Sequence, residues 1–165
     1  MSFPFHILPQ SEAETFMLEA LKEAWKAFKA EEVPVGAVLV KEGRVIARGF
    51  NQVELLKDAT AHAEMLCLTA GEVALDNWRL SDTTLYCTLE PCAMCTGALY
   101  LTRVKKLIYG AKDIRHGALG SWVDLSEKKH PTHSFEIISG VLEEACGELL
   151  RRFFQKRREE NGKSG

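Results

Sequence analysis

Two short motifs carry the residue types that can do chemistry: His62-Ala63-Glu64 and Pro91-Cys92-Ala93-Met94-Cys95. One imidazole and two thiols make three ligands for a zinc ion. Catalytic zinc sites use three protein ligands and leave the fourth position to water, whereas structural sites close all four. Two thiolates and a neutral imidazole balance the ion's charge, and bound zinc can lower the pKa of water from about 15.7 to roughly 7. Glu64, two residues from His62, can share the site without binding the metal, where a proton carrier is wanted. A closed structural site would need a fourth ligand, for which Cys87 and His116 are the candidates. Cys-x-x-Cys opening a helix after a strand also describes a thioredoxin-like redox centre. A dithiol pair, however, has no use for a second motif of the form His-x-Glu. That motif is not the His-Glu-x-x-His of helical metalloproteases, because position 66 is leucine.

The elements that must position these residues follow from local pattern. Ser11 with Glu14 forms a capping box, and Met17, Leu21, Ala24, Trp25 and Phe28 recur at helical spacing, predicting a helix over 12–30. Residues 35–41 and 44–51 read as strands joined by Glu42-Gly43, a two-residue connection suited to a hairpin. A helix is expected over 61–75, with His62 and Glu64 in its first turn. A strand over 83–88 leads to a second helix that opens at Glu90-Pro91 and runs to about Leu101, proline taking the first helical position. Cys92 and Cys95 then share one helix face. Short strands follow at 105–110 and 134–139, with an irregular loop over 111–133 between them. Leu142, Ala145, Cys146, Leu149, Leu150, Phe153 and Phe154 mark a last amphipathic helix. The order α-β-β-α-β-α-β-β-α implies an α/β domain with helices packed on a mixed sheet. Both motifs stand where strands give way to helices, where the helix dipole favours thiolates.

At 165 residues the chain fits a single domain, expected over 1–160, with 161–165 as a polar tail. Five cysteines, an odd number, and a start without a basic segment or long apolar core predict a reduced, cytoplasmic protein. The longest nearly apolar stretch, residues 33–40, is far below the roughly 20 residues that span a bilayer, so no membrane segment is expected. The net charge of −2 is unevenly spread. Residues 101–116 carry a net +4 through Arg103, Lys105, Lys106, Lys112 and Arg115 against Asp113, residues 151–165 carry another +4, and residues 1–32 carry −3. Such segregation can build a face for an anionic ligand, or simply solvate two surfaces. Trp78 and Trp122 are expected to pack, and the His130-x-x-His133 pair reads as surface or RNA contact rather than a second metal site.

With those residues in view, the chain resembles the zinc-dependent nucleoside and nucleobase deaminases of the cytidine/deoxycytidylate deaminase superfamily, whose signature is His-x-Glu followed by Pro-Cys-x-x-Cys. The resemblance extends through Val33-Pro34-Val35-Gly36-Ala37-Val38, Gly49-Phe50-Asn51, Thr60-Ala61-His62-Ala63-Glu64, Thr88-Leu89-Glu90-Pro91-Cys92-Ala93-Met94-Cys95 and Gly110-Ala111-Lys112-Asp113, and is nearest to the bacterial tRNA-specific adenosine deaminases. It implies a three-layer α/β/α fold with a mixed five-stranded sheet. It also implies hydrolysis of adenosine to inosine at the wobble position, 34, of a tRNA anticodon. His62, Cys92 and Cys95 would hold one Zn²⁺ per subunit, and Glu64 would shuttle protons. Asn51 and the Ala63 backbone N–H would contact the base, with Val35 walling the pocket. Asp113, Phe154, Arg157 and Arg158 would meet the anticodon stem-loop, and the partners expected are tRNA and a second copy in a homodimer. Free guanine or another nucleobase is the alternative substrate within the fold, and a non-catalytic zinc-binding interaction module the alternative outside enzymes.

Overall fold

In the computed structural model, which describes residues 1–163, strand β1 (Gly36–Lys41) is buried on both faces, and this demands a layer of helices on each side. Side chains alternate along the strand. Val38 and Val40 join Tyr86 and Ile108 under α1 (Glu12–Lys29), while Ala37 and Leu39 join Leu85, Cys87, Leu107 and Tyr109 on the opposite face. α1 is capped as its sequence requires, the Ser11 hydroxyl accepting from the Glu14 N–H at 3.1 Å.

Five strands form one mixed sheet in the order β2-β1-β3-β4-β5. β2 (Arg44–Phe50) pairs antiparallel with β1 through Glu42-Gly43, both at positive φ, as a type I′ turn requires. β1 also pairs antiparallel with β3 (Thr83–Leu89). β3, β4 (Lys106–Ala111) and β5 (Glu136–Ile138) run parallel. Thus the ends of β3 and β4 and the start of β1 lie together, and the Gly36 N–H donates to Thr88 Oγ1 at 3.1 Å there. α5 (Glu143–Gly162) joins α1 on one face; α3 (Ala63–Leu75) and α4 (Ala93–Thr102) cover the other. The result is the expected three-layer α/β/α arrangement.

Several details depart from the sequence expectation. A four-residue helix, α2 (Val53–Leu56), was not expected; the buried Glu32 carboxylate accepts from the Glu54 N–H at 3.1 Å and the Leu55 N–H at 2.6 Å and fixes it. Pro91 is not the first residue of α4. The helix opens two residues later because Pro91 and Cys92 stay extended, the Pro91 carbonyl accepting from Ala118 at 2.9 Å and Cys92 bridging to Gly117. His62 likewise precedes α3 as its N-cap. Trp78 and Trp122 are half exposed or more instead of packed. α5 runs through Gly162, past the expected start of the tail; residues 164 and 165 of that tail lie outside the described residues. No described helix is long and apolar enough to cross a membrane.

One contact sets the height of α3 above the sheet. A Cβ on Gly49 would lie 2.5 Å from the Ala63 carbonyl oxygen and 2.8 Å from the Cys67 nitrogen, both backbone atoms that cannot swing away. Gly49→Val should therefore lift the start of α3, lowering stability by about 1–3 kcal/mol. Thermal unfolding with and without added zinc checks this: the variant's melting temperature falls, and it falls furthest with the metal present.

Candidate functional site

The first turns of α3 and α4 meet above the start of β1 and the end of β3. His62, the N-cap of α3, and Cys92, the N-cap of α4, face one another, and Cys95 follows in the first turn of α4. His62 Nδ1 lies 3.6 Å from each of the two sulfurs. All three donor atoms lie within 4.8 Å of one another, and they form the one such metal-ligating group among the described residues. The fit to zinc is direct: bond lengths of about 2.3 Å to sulfur and about 2.0–2.1 Å to nitrogen at a tetrahedral angle place N and S roughly 3.6 Å apart. The ring also hydrogen-bonds the Ala59 backbone, the kind of outer contact that fixes a ligating imidazole.

Electrostatics agree with a cation site. A hydrogen bond from Cys95 holds the Cys92 thiol down at about 4, and His62 adds to the effect. The shared proton and burial push Cys95 up, and the hydrogen bond with Cys92 raises His62. A divalent cation would displace these protons as it binds. The candidates for a fourth ligand are engaged elsewhere. Cys87 donates to Glu64 Oε1 at 3.2 Å, and His116 sits against Asp113 with Nδ1 3.8 Å from Oδ2.

Among the described residues four glutamates are buried, and their partners separate them. Glu23 pairs with Lys26 and Arg48. Glu32 holds α2. Glu90 accepts from the backbone N–H groups of Asp113, Leu119 and Ser121 and from the Ser121 hydroxyl, strapping the loop over 112–121 across Cys92. Gly117 lies so close beneath that a Cβ would meet Glu90 Oε2. Glu64, 4% exposed, has only thiols for side-chain partners: Cys87 on Oε1 and Cys95, 3.5 Å away, on Oε2. Burial raises its proton affinity. It is the buried carboxylate with no framework to hold, and it stands against the metal ligands.

Asn51 follows β2 at the same end of the sheet. Its N–H donates to the Val35 carbonyl at 3.0 Å and its Nδ2 to the Val33 carbonyl at 3.2 Å, while its Oδ1 is buried without a partner. Val35 is buried in the same cluster as Ala63 and Cys87. Ala63 is the first residue of α3, so the helix itself does not use its N–H. Asp113 caps its own turn, Oδ1 accepting from Arg115 and His116 at 3.1 and 3.2 Å. On α5, Phe154 is exposed and leans edge-on against Phe153, Arg158 is exposed, and Arg157 donates to the Glu31 carbonyl at 2.7 Å. The basic stretch over 101–116 divides: Lys112 and Arg115 lie by the site, whereas Arg103 and Lys105 precede β4 at the far end of the sheet, with Arg103 on the Tyr100 carbonyl and Lys105 near Asp82. His130 stacks on Tyr100 and His133 bonds the Val104 carbonyl, so neither is part of a metal group. Sequence reasoning missed Glu32, Glu90 and the Cys87 contact, because each depends on a partner more than twenty residues away.

Three donors for zinc at converging helix starts, with a buried carboxylate in reserve on an α/β/α sheet, define a hydrolytic metal centre. The chain belongs to the family described as the cytidine and deoxycytidylate deaminase zinc-binding region, whose model matches residues 10–111. It is 48% identical over 145 residues to the tRNA-specific adenosine deaminase of Bacillus subtilis (strain 168), covering 88% of this chain and 90% of that one. It is 52% identical over 160 residues to the chloroplastic tRNA(adenine(34)) deaminase of Arabidopsis thaliana, covering 87% of this chain but only 12% of that much longer protein. A solved structure from work on A-to-I editing by tRNA:A34 deaminases superposes with a TM-score of 0.79 at 43% identity, covering 82% of this chain and 98% of that one.

Replacing Glu90 with alanine should release the strapped loop and cost at least about 2 kcal/mol, since several donors lose a charged acceptor at once. Limited proteolysis checks it: new cleavage within 112–121 is expected, at a protease concentration that leaves the parent chain intact there.

Proposed function

We propose that this chain is a zinc-dependent hydrolase that deaminates adenosine to inosine at position 34, the wobble position, of a tRNA anticodon. The observation that carries the reading is Glu64, a buried carboxylate beside three metal donors that serves neither as a ligand nor as a structural anchor. When bound, zinc supplies the Lewis acidity that makes water nucleophilic near neutral pH. Glu64 takes one proton from the water that adds to C6 and delivers it to N1. The second proton of that water passes through the same carboxylate to N6, the C6–N6 bond breaks, and ammonia leaves while C6 keeps the oxygen. A raised proton affinity suits a group that must hold a proton between those steps.

The choice of substrate follows the names of the relatives and is supported by the pocket. The buried Asn51 Oδ1 lacks a donor, a condition that costs about 1–3 kcal/mol and that a nucleoside N–H or O–H would relieve. The Ala63 N–H is the second polar contact, and Val35 walls the base. The end of α5 reaches the same rim, since Arg157 holds Glu31, whose neighbours Glu32 and Val33 anchor α2 and Asn51. Phe154, Arg158 and Asp113 then line a path for the stem-loop, whose bases are already partly unstacked and so cheap to extrude. Arg157 serves this path by fixing the rim. A homodimer in the cytoplasm belongs to the same reading, with Leu101, Ile114, Trp122 and Leu125 supplying exposed apolar surface.

Incubation of the zinc-loaded protein with unmodified tRNA, followed by nuclease digestion and mass spectrometry, tests the proposal. Inosine is expected at position 34, with free adenosine and free guanine untouched; deamination of free guanine alone would overturn it. Glu64→Gln should keep one zinc per chain and the parent fold, yet lose at least about 100-fold in kcat. Near-normal turnover by that variant removes Glu64 from the mechanism.

A further inference from the structure

Cys87 lies in the middle of β3, between Ala37 of β1 and Tyr109 of β4, and its side chain is fully buried on the face covered by α3. Its thiol points at the first turn of that helix, donating to Glu64 Oε1 at 3.2 Å. The other side chain that donates to this carboxylate among the described residues is Cys95, 3.5 Å from Oε2. A cysteine that holds a metal does so as the thiolate and has no proton left to give. In the zinc-loaded protein the carboxylate therefore keeps a single side-chain donor, Cys87. That donor is durable, because burial and the neighbouring Glu64 charge keep the thiol protonated.

Beyond its own backbone N–H, the carboxylate has this side-chain donor to orient it. The terminal torsion of a glutamate is broad and roughly two-fold, so packing alone does not select one orientation of the two oxygens. The Cys87 contact engages Oε1 and leaves Oε2 toward Cys95 and the metal ligands. We propose that Cys87 is a positioning residue, whose S–H···Oε1 hydrogen bond aims the second carboxylate oxygen of Glu64 at the metal centre. It touches neither substrate nor metal. The proposal rests on Glu64 being the proton carrier described above.

Two substitutions that differ by one hydroxyl isolate the hydrogen bond. Cys87→Ala removes the donor; Cys87→Ser restores one on a shorter bond. With a tRNA anticodon stem-loop as substrate, Cys87→Ala should lower kcat roughly ten-fold, as loss of an outer contact in a metal site does, with KM and zinc content unchanged. Cys87→Ser should recover kcat to within about three-fold of the parent, as a replacement donor allows. A role in packing alone predicts the reverse order, since a hydroxyl in an apolar slot gains nothing over a methyl. The proposal is overturned if Cys87→Ala keeps the parent kcat, or if Cys87→Ser is no better than Cys87→Ala. Should Cys87→Ala fail to fold, Cys87→Val fills the slot without a donor and carries the same expectation. Glu64→Gln in the same assay separates the two ideas: if it remains active, the role of Glu64 fails and this one with it. If it is inactive while Cys87→Ala is unaffected, only the positioning role fails.

Discussion

The close packing of α3 on β2 at Gly49 sets the position of His62, Ala63 and Glu64 at the metal centre. With no side chain at Gly49, the Ala63 carbonyl and Cys67 nitrogen approach the strand directly, and the start of the helix is pressed onto the sheet. His62, Ala63 and Glu64 ride on that start. The imidazole is brought within 3.6 Å of Cys92 and Cys95, and the carboxylate is driven down onto Cys87 of β3. A second helix begins at the same place, so two sets of unpaired N–H groups and two positive dipole ends converge where thiolates must form. Cys92, at one of those ends, is the thiol held down at about 4, with Cys95 donating to it.

Around this point buried carboxylates act as fasteners. A charge taken out of water is tolerated only when strong hydrogen bonds replace the hydration it loses. Glu32 meets that condition with two backbone donors from α2, and Glu90 with donors from the loop that crosses Cys92. Each converts an irregular segment into a fixed wall of the pocket without a regular ladder. Glu64 is buried to a similar degree, but beyond its own backbone N–H its partners are thiols, a weaker set of donors, and burial leaves its proton affinity raised. That contrast sets Glu64 apart from the carboxylates that hold the frame.

The ligand set was legible in the sequence because its chemistry is local: a histidine and a glutamate two apart, two cysteines three apart, each at the start of a helix. The layered fold was legible for the same reason, since strand alternation and helical spacing repeat over a few residues. What could not be read depends on distant partners. Pro91 has the pattern of a first helical residue, but its carbonyl is taken by Ala118, so the helix waits until Ala93. α2 is too short for a periodic signal and exists because Glu32 binds its first turn. The stretch over 101–116 reads as one basic segment, yet β4 carries its two ends to opposite ends of the strand direction in the sheet. Asn51 is informative only once its oxygen is seen to be buried and unpaired.

The account turns on a metal centre with three protein ligands and Glu64 kept out of the coordination sphere. X-ray absorption at the zinc edge of the loaded protein reads this directly. Two sulfur neighbours at about 2.3 Å and two nitrogen or oxygen neighbours at about 2.0–2.1 Å are predicted, one from His62 and one from solvent. That spectrum should be unchanged when Glu64 is replaced by glutamine. A third sulfur, or a light-atom neighbour that disappears with that replacement, would contradict the account.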